Sequence, residues 1–182
     1  MPVLTLVGYR GTGKSTVAAV LARRLRCGWE DADAVLEARA GCTIAALVHD
    51  RGEPAFRDLE TAVLRDLLGR DDLVLATGGG VVLRPDNRRL LADRGRPLVW
   101  LVAPAAVIRA RLAADPATRD RRPALSGRDP LDEVEAALAK REPLYRACAD
   151  LVIDAAADPP EAIAERIVAW LAARGAGGEP SA

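Results

Sequence analysis

Val3-Leu4-Thr5-Leu6-Val7 runs directly into Gly8-Tyr9-Arg10-Gly11-Thr12-Gly13-Lys14-Ser15-Thr16, and this junction decides the fold. The short apolar run predicts a buried strand, and the pattern over residues 17–25 predicts a helix. Between them, Gly8, Gly13, Lys14 and Ser15 fill the four fixed places of G-x-x-x-x-G-K-[ST], the phosphate-binding loop. Polyphosphate oxygens need many donors at close range, and main-chain N–H groups are the most compact ones available. The first N–H groups of a helix have no internal partner, and the helix dipole adds partial positive charge there. The motif makes residues 11–16 (Gly11, Thr12, Gly13, Lys14, Ser15 and Thr16) candidate nucleotide contacts. In it Lys14 reaches the β- and γ-phosphates and Ser15 offers its hydroxyl to Mg²⁺.

Outward from this junction, short apolar runs alternate with helical patterns. Residues 73–76, 98–102 and 151–153 read as buried strands, and 27–33 as a connection or a further short strand. On an extended segment Asp31 and Asp33 point the same way. Helices are expected over 34–40, closed by Gly41, and over 44–50, capped by Thr43. Gly52-Glu53-Pro54 breaks the chain before a helix to about residue 68. Further helices are expected over 86–94, 104–114, 131–148 and 160–173. Residues 115–129 are polar, rich in Arg and Pro, and carry no apolar period, which predicts a mobile loop. The organisation is one domain over residues 1–174 with a flexible tail over 175–182. Fully apolar strands alternating with helices imply an α/β fold, a parallel sheet covered on both faces in three layers. Ligands in such sheets gather at the carboxyl ends of the strands, where the phosphate loop, the Asp pair and Gly78-Gly79-Gly80 all fall.

Composition sets the outer limits. The 182 residues are half hydrophobic but only 3% aromatic, so the core is built of Ala, Val, Leu and Ile. Lys plus Arg number 26 and Asp plus Glu number 26, and this zero net charge argues against nucleic acid as a partner. Cys27, Cys42 and Cys148 are widely spaced and complete no zinc pattern, as expected of free thiols in a reducing cytoplasm. His49 has no neighbouring ligand set and reads as a surface residue. No apolar run is long enough to span a membrane, and none precedes the first strand as a signal peptide. The expected state is a cytoplasmic monomer acting on small molecules, with no membrane partner.

Several further pieces follow the phosphate loop in order: Asp31-Ala32-Asp33, Gly52-Glu53-Pro54-Ala55-Phe56-Arg57-Asp58-Leu59-Glu60, Gly78-Gly79-Gly80, Arg122-Pro123, and Arg141-Glu142-Pro143-Leu144-Tyr145. Through them, from about residue 3 to 153, the chain resembles the shikimate kinase family of P-loop small-molecule kinases. The resemblance implies a five-stranded parallel sheet and ATP-dependent phosphorylation of the 3-hydroxyl of shikimate, with Mg²⁺ as cofactor. It implies that Asp31 helps hold Mg²⁺ with Ser15, and that Asp33 binds the ring hydroxyls. A carboxylate there orients the attacking hydroxyl and accepts its proton.

It further implies that Arg57 and Arg141 bind the shikimate carboxylate, whose geometry suits the guanidinium fork. Gly79 and Gly80 line the pocket, and Gly78 lies nearer the γ-phosphate. Arg122 stands in a lid at about residues 115–129 and is the catalytic arginine. Arg111 faces adenine, with Arg109 as the competing choice. Unlike in many P-loop proteins, no acidic residue ends the strand over 73–76, and in the family that the chain resembles Asp31 takes over part of that role; the chain departs from the family in that Pro123-Ala124-Leu125 replaces the commoner Pro-Leu-Leu in a somewhat longer lid. The competing readings are a gluconate-type kinase, which shares the loop and lid, and a catalytically silent nucleotide-binding protein.

Overall fold

The computed structural model describes residues 1–114 and 133–176. The strands are β1 (Leu4–Val7), β2 (Gly28–Asp31), β3 (Leu73–Ala76), β4 (Leu98–Val102) and β5 (Leu151–Asp154). They pair only in parallel, in the order β2-β3-β1-β4-β5. The helices are α1 (Lys14–Leu25), α2 (Ala32–Ala40), α3 (Ile44–Leu67), α4 (Pro85–Arg94), α5 (Ala105–Ala114), α6 (Glu133–Cys148) and α7 (Pro160–Ala176). A 3₁₀ turn, Val81–Leu83, follows the triple glycine.

The side-chain alternation of the strands divides the core in two. Leu73, Leu75, Leu98 and Trp100 face a cluster with Leu36 of α2, Phe56, Val63, Leu64 and Leu67 of α3, and Tyr145 of α6. Leu4, Leu6, Val74, Ala76, Val99 and Leu101 face the other side, against α1 and α7. Residues along a strand point alternately to opposite faces, so runs apolar at every position need cover on both. Each fully buried Leu or Val contributes roughly 1.5–3 kcal/mol of transfer free energy. A third cluster joins Tyr9 of the phosphate loop to Ile108 and Leu112 of α5 and Val134 and Leu138 of α6.

Local chemistry sets the helix ends. The Asp31 carboxylate accepts from the N–H groups of Asp33 and Ala34, which starts α2 at Ala32, two residues earlier than the sequence suggests. Asp33 therefore leaves from the first helical turn rather than from an extended segment, correcting the expected same-side pair. Thr43 accepts from the N–H of Ala46 and caps α3. Gly52, at φ +82° and ψ +163°, splits α3 into the two expected pieces, with Pro54 in the first turn of the second. The last helix reaches Ala176, past Gly175 where a tail was expected to begin. The expected lid over 115–129 lies outside the described residues.

Candidate active site

β1 occupies the middle of the sheet, and its carboxyl end opens into the phosphate loop. Gly8, Gly11 and Gly13 have φ of +143°, +79° and +89°. At Gly8 a side chain is excluded twice over, because a Cβ would overlap the Leu101 carbonyl oxygen across the sheet. Lys14 is buried and folds back over the loop, its Nζ donating to the carbonyls of Gly8 and Tyr9 at 2.8 Å each. The Thr12 hydroxyl donates to the Tyr9 carbonyl at 2.8 Å. Thr16 is exposed on the first turn of α1.

Ser15 donates its hydroxyl to Oδ2 of Asp31, while Asp31 Oδ1 caps α2. The sheet register explains this meeting: Asp31 ends β2 opposite Ala76, which ends β3. A carboxylate on the edge strand thus reaches the level where β3 carries none. The two side chains expected to hold Mg²⁺ touch each other, and both offer hard oxygen ligands, the donor type Mg²⁺ takes. No cluster of three or more His, Cys, Asp or Glu side chains suited to a metal occurs among the described residues. One carboxylate, one hydroxyl and the substrate's own phosphates form the usual set for that ion.

The remaining candidates gather around Gly78-Gly79-Gly80, directly after β3. Arg57, on the second piece of α3, donates from Nη1 to Glu60 Oε2 at 2.9 Å and from Nη2 to Glu53 Oε1 at 3.1 Å. The Arg57 side chain is 11% exposed and that of Glu60 only 6%. Burial alone lowers the Arg57 pKa, but the facing Glu60 and Glu53 carboxylates more than offset it and leave it raised. The guanidinium also lies over the Phe56 ring, 4.7 Å from its centroid. A Cβ on Gly80 would overlap Arg57 Nη1, and one on Gly78 would come within 2.6 Å of Asp33 Oδ1. Gly78 and Gly80 are bare because charged side chains occupy the space.

On the other side of the turn, Arg141 Nη1 donates to the Gly79 carbonyl at 3.1 Å, and the Tyr145 hydroxyl donates to the same oxygen. A Cβ on Gly79 would lie 2.9 Å from the Arg10 amide nitrogen, so the glycine turn abuts the phosphate loop. A Cβ on Gly78 would instead meet Asp33 and Glu60. Arg111 lies across α5, where its Nη1 donates to Gly11 at 3.4 Å and its Nη2 to the carbonyls of Ala155 and Ala156 at 2.7 and 3.1 Å. Arg109 instead approaches Glu135 of α6 at 4.0 Å. Arg122 lies outside the described residues.

A family model described as shikimate kinase matches residues 10–172. The chain belongs to the shikimate kinase family. A shikimate kinase of Nitratidesulfovibrio vulgaris is 47% identical over 167 residues, 92% of this chain and 94% of that protein. One of Rhodopirellula baltica is 48% identical over 151 residues, 83% of this chain and 80% of that protein. A solved structure, shikimate kinase from Acinetobacter baumannii in complex with shikimate, superposes with a TM-score of 0.87 at 34% identity, covering 96% of this chain and 94% of that one. Membership in the shikimate kinase family makes this chain an ATP-dependent kinase acting on a hydroxyl of shikimate, and its five-stranded parallel sheet is the family's fold. The gluconate-type and catalytically silent readings are not favoured.

Two groups at this shikimate kinase site carry little signal in the sequence. Tyr9 is one of the unspecified loop positions of the motif, yet its ring lies under Arg141, 5.1 Å from the guanidinium. Glu60 reads as an ordinary helix-surface partner of Arg57 at i+3, yet it is buried. The available clue to Tyr9 was the scarcity of aromatic residues: the chain has only two tyrosines, and Tyr9 and Tyr145 both lie here.

Proposed function

We propose that Lys14, Asp33 and Arg122 carry the transfer of the ATP γ-phosphate to the 3-hydroxyl of shikimate. ATP is held by Gly11, Thr12, Gly13, Lys14, Ser15 and Thr16, with Arg111 on the adenine side and Arg122 from the lid. Shikimate is held by Asp33, Arg57, Gly79, Gly80 and Arg141. The observation that carries this reading is the meeting of Asp33, Arg57 and Arg141 around one glycine turn that abuts the phosphate loop.

Two guanidinium groups on different helices suit a carboxylate, and they fix the ring about that end. Asp33 then faces the ring hydroxyls, orients one of them and accepts its proton. Phosphoryl transfer has a loose transition state, so alignment and charge do most of the work. Lys14 and Arg122 spread the charge that develops on the transferring oxygens. Ser15 and Asp31 are the residues that would hold Mg²⁺, which supplies neutralisation of the phosphate oxygens. Arg111 is favoured over Arg109 on the adenine side because it touches the phosphate loop and the chain after β5, whereas Arg109 turns to α6.

The half-exposed free cysteines fit a reducing cytoplasm, and no described helix is long and apolar enough to cross a membrane. A monomer is the oligomeric state we assign. The test is ADP release by the purified protein with MgATP and, separately, shikimate, quinate and gluconate. Turnover with shikimate alone is expected; preference for gluconate would overturn the assignment.

A further inference from the structure

We propose that Tyr145 and Tyr9 are positioning residues that aim Arg141 at the substrate carboxylate, Tyr145 through its hydroxyl and Tyr9 through its ring face. This rests on Arg141 being a carboxylate ligand, as proposed above. A long arginine side chain carries substantial rotamer freedom, and a binding site gains affinity when that freedom is removed before the ligand arrives. Arg141 and Tyr145 stand four residues apart on α6, one turn, which puts them on one face. Arg141 Nη1 and the Tyr145 hydroxyl both donate to the Gly79 carbonyl oxygen, which brings the guanidinium and the phenol onto one acceptor. Three groups thus close on one another: the clamp arginine, the buried phenol and the pocket-lining turn.

Tyr145 itself cannot swing. Its side chain is fully buried and its ring stacks on Trp100, centroids 5.7 Å apart at 25°. Packing alone would be served by phenylalanine, and burying a hydroxyl costs free energy unless it is bonded. The hydroxyl finds its acceptor in the Gly79 carbonyl, the same oxygen that Arg141 bonds. Burial pushes its pKa up and the Arg141 charge only partly offsets this, so it remains a proton donor throughout the neutral range. On the opposite side Tyr9 is held among Ile108, Leu112, Val134 and Leu138, and presents its ring to the guanidinium at 5.1 Å. The arginine is bracketed by a ring face and a hydroxyl, neither of which the phosphate-loop motif or the clamp itself requires.

The experiment is steady-state kinetics on full-length Tyr145→Phe, Tyr9→Phe, Tyr9→Leu, Arg141→Ala and the Tyr145→Phe/Arg141→Ala double variant, with melting temperature beside each. Tyr145→Phe is expected to raise the shikimate KM about tenfold, with the ATP KM within about twofold and little change in melting temperature. Tyr9→Leu is expected to raise the shikimate KM several-fold while Tyr9→Phe, which keeps the ring, leaves it unchanged. In the Arg141→Ala background Tyr145→Phe should add nothing, because the group being aimed is gone. An unchanged shikimate KM in Tyr145→Phe, beside a large rise in Arg141→Ala, overturns the proposal and leaves the carboxylate assignment standing. An unchanged KM in Arg141→Ala overturns that assignment and the proposal with it. If Tyr145→Phe does not fold, an unchanged shikimate KM in Tyr9→Leu overturns the proposal by itself.

Discussion

At the residue scale, Lys14 shows how a charge is kept ready. Its ammonium rests on two carbonyls of the phosphate loop itself. Lys14→Ala is expected to lower kcat by about a hundredfold or more, since one preorganised donor is worth roughly 3 kcal/mol in such a site; coupled ADP-release assays would measure it. Asn87 of α4 poses a different problem: it is fully buried, and neither of its amide atoms has a hydrogen-bond partner in the structure. A buried unpaired amide costs about 1–3 kcal/mol. Asn87→Leu is therefore expected to stabilise the fold by about 1 kcal/mol or more, read as a higher urea midpoint with unchanged kcat. The sequence offered no hint of Asn87, because its position in a polar stretch predicts exposure. Lys14 and Ser15 were legible from it at once, because the chemistry of phosphate binding restricts those positions to few residue types.

At the element scale, the turn after β3 depends on what it lacks. A methyl group at residue 80 would overlap Arg57, and Arg57 is pinned by a buried carboxylate and cannot step aside cheaply. Gly80→Ala is expected to raise the shikimate KM about tenfold while leaving the ATP KM within about twofold. Equal rises in both would place the damage in the phosphate loop instead. Element boundaries were the less legible part of the sequence. α1 begins at Lys14, inside the motif, where Lys14-Ser15-Thr16 carries no apolar period to reveal a helix. α2 begins early because Asp31 caps it, and the side chain of a potential cap does not say which N–H it will take. The break at Gly52 was legible because glycine and proline leave the backbone few choices there.

At the scale of the whole molecule, the sheet order carries the site. β1 lies in the middle, β3 on one side of it and β4 on the other, so residues from the phosphate loop, β2, α3, the glycine turn and α6 meet at the carboxyl end of the sheet. The alternation of apolar runs with helical patterns made the layered fold readable. The resemblance implied five parallel strands but not their order, since no local pattern says which parallel strands are neighbours. The buried phenol of Tyr145 links this core to alkaline stability. Its folded pKa is raised above the ordinary value near 10, so its contribution is fully present below about pH 10 and is lost as the pH climbs further. Wild type should then lose stability by up to about 1.4 kcal/mol per pH unit on this account. Urea titrations at pH 9 and 11 should show a smaller loss in Tyr145→Phe.

The contact between Gly79 and Arg10 has a consequence for engineering. On the proposed assignment a single peptide unit forms the party wall between donor and acceptor, because a Cβ on Gly79 would meet the Arg10 amide. Thickening it from the acceptor side pushes into the room next door. Redesign toward a bulkier or smaller acid is therefore best directed at the Arg57 end of the clamp on α3, since α6 packs against Tyr9 of the phosphate loop.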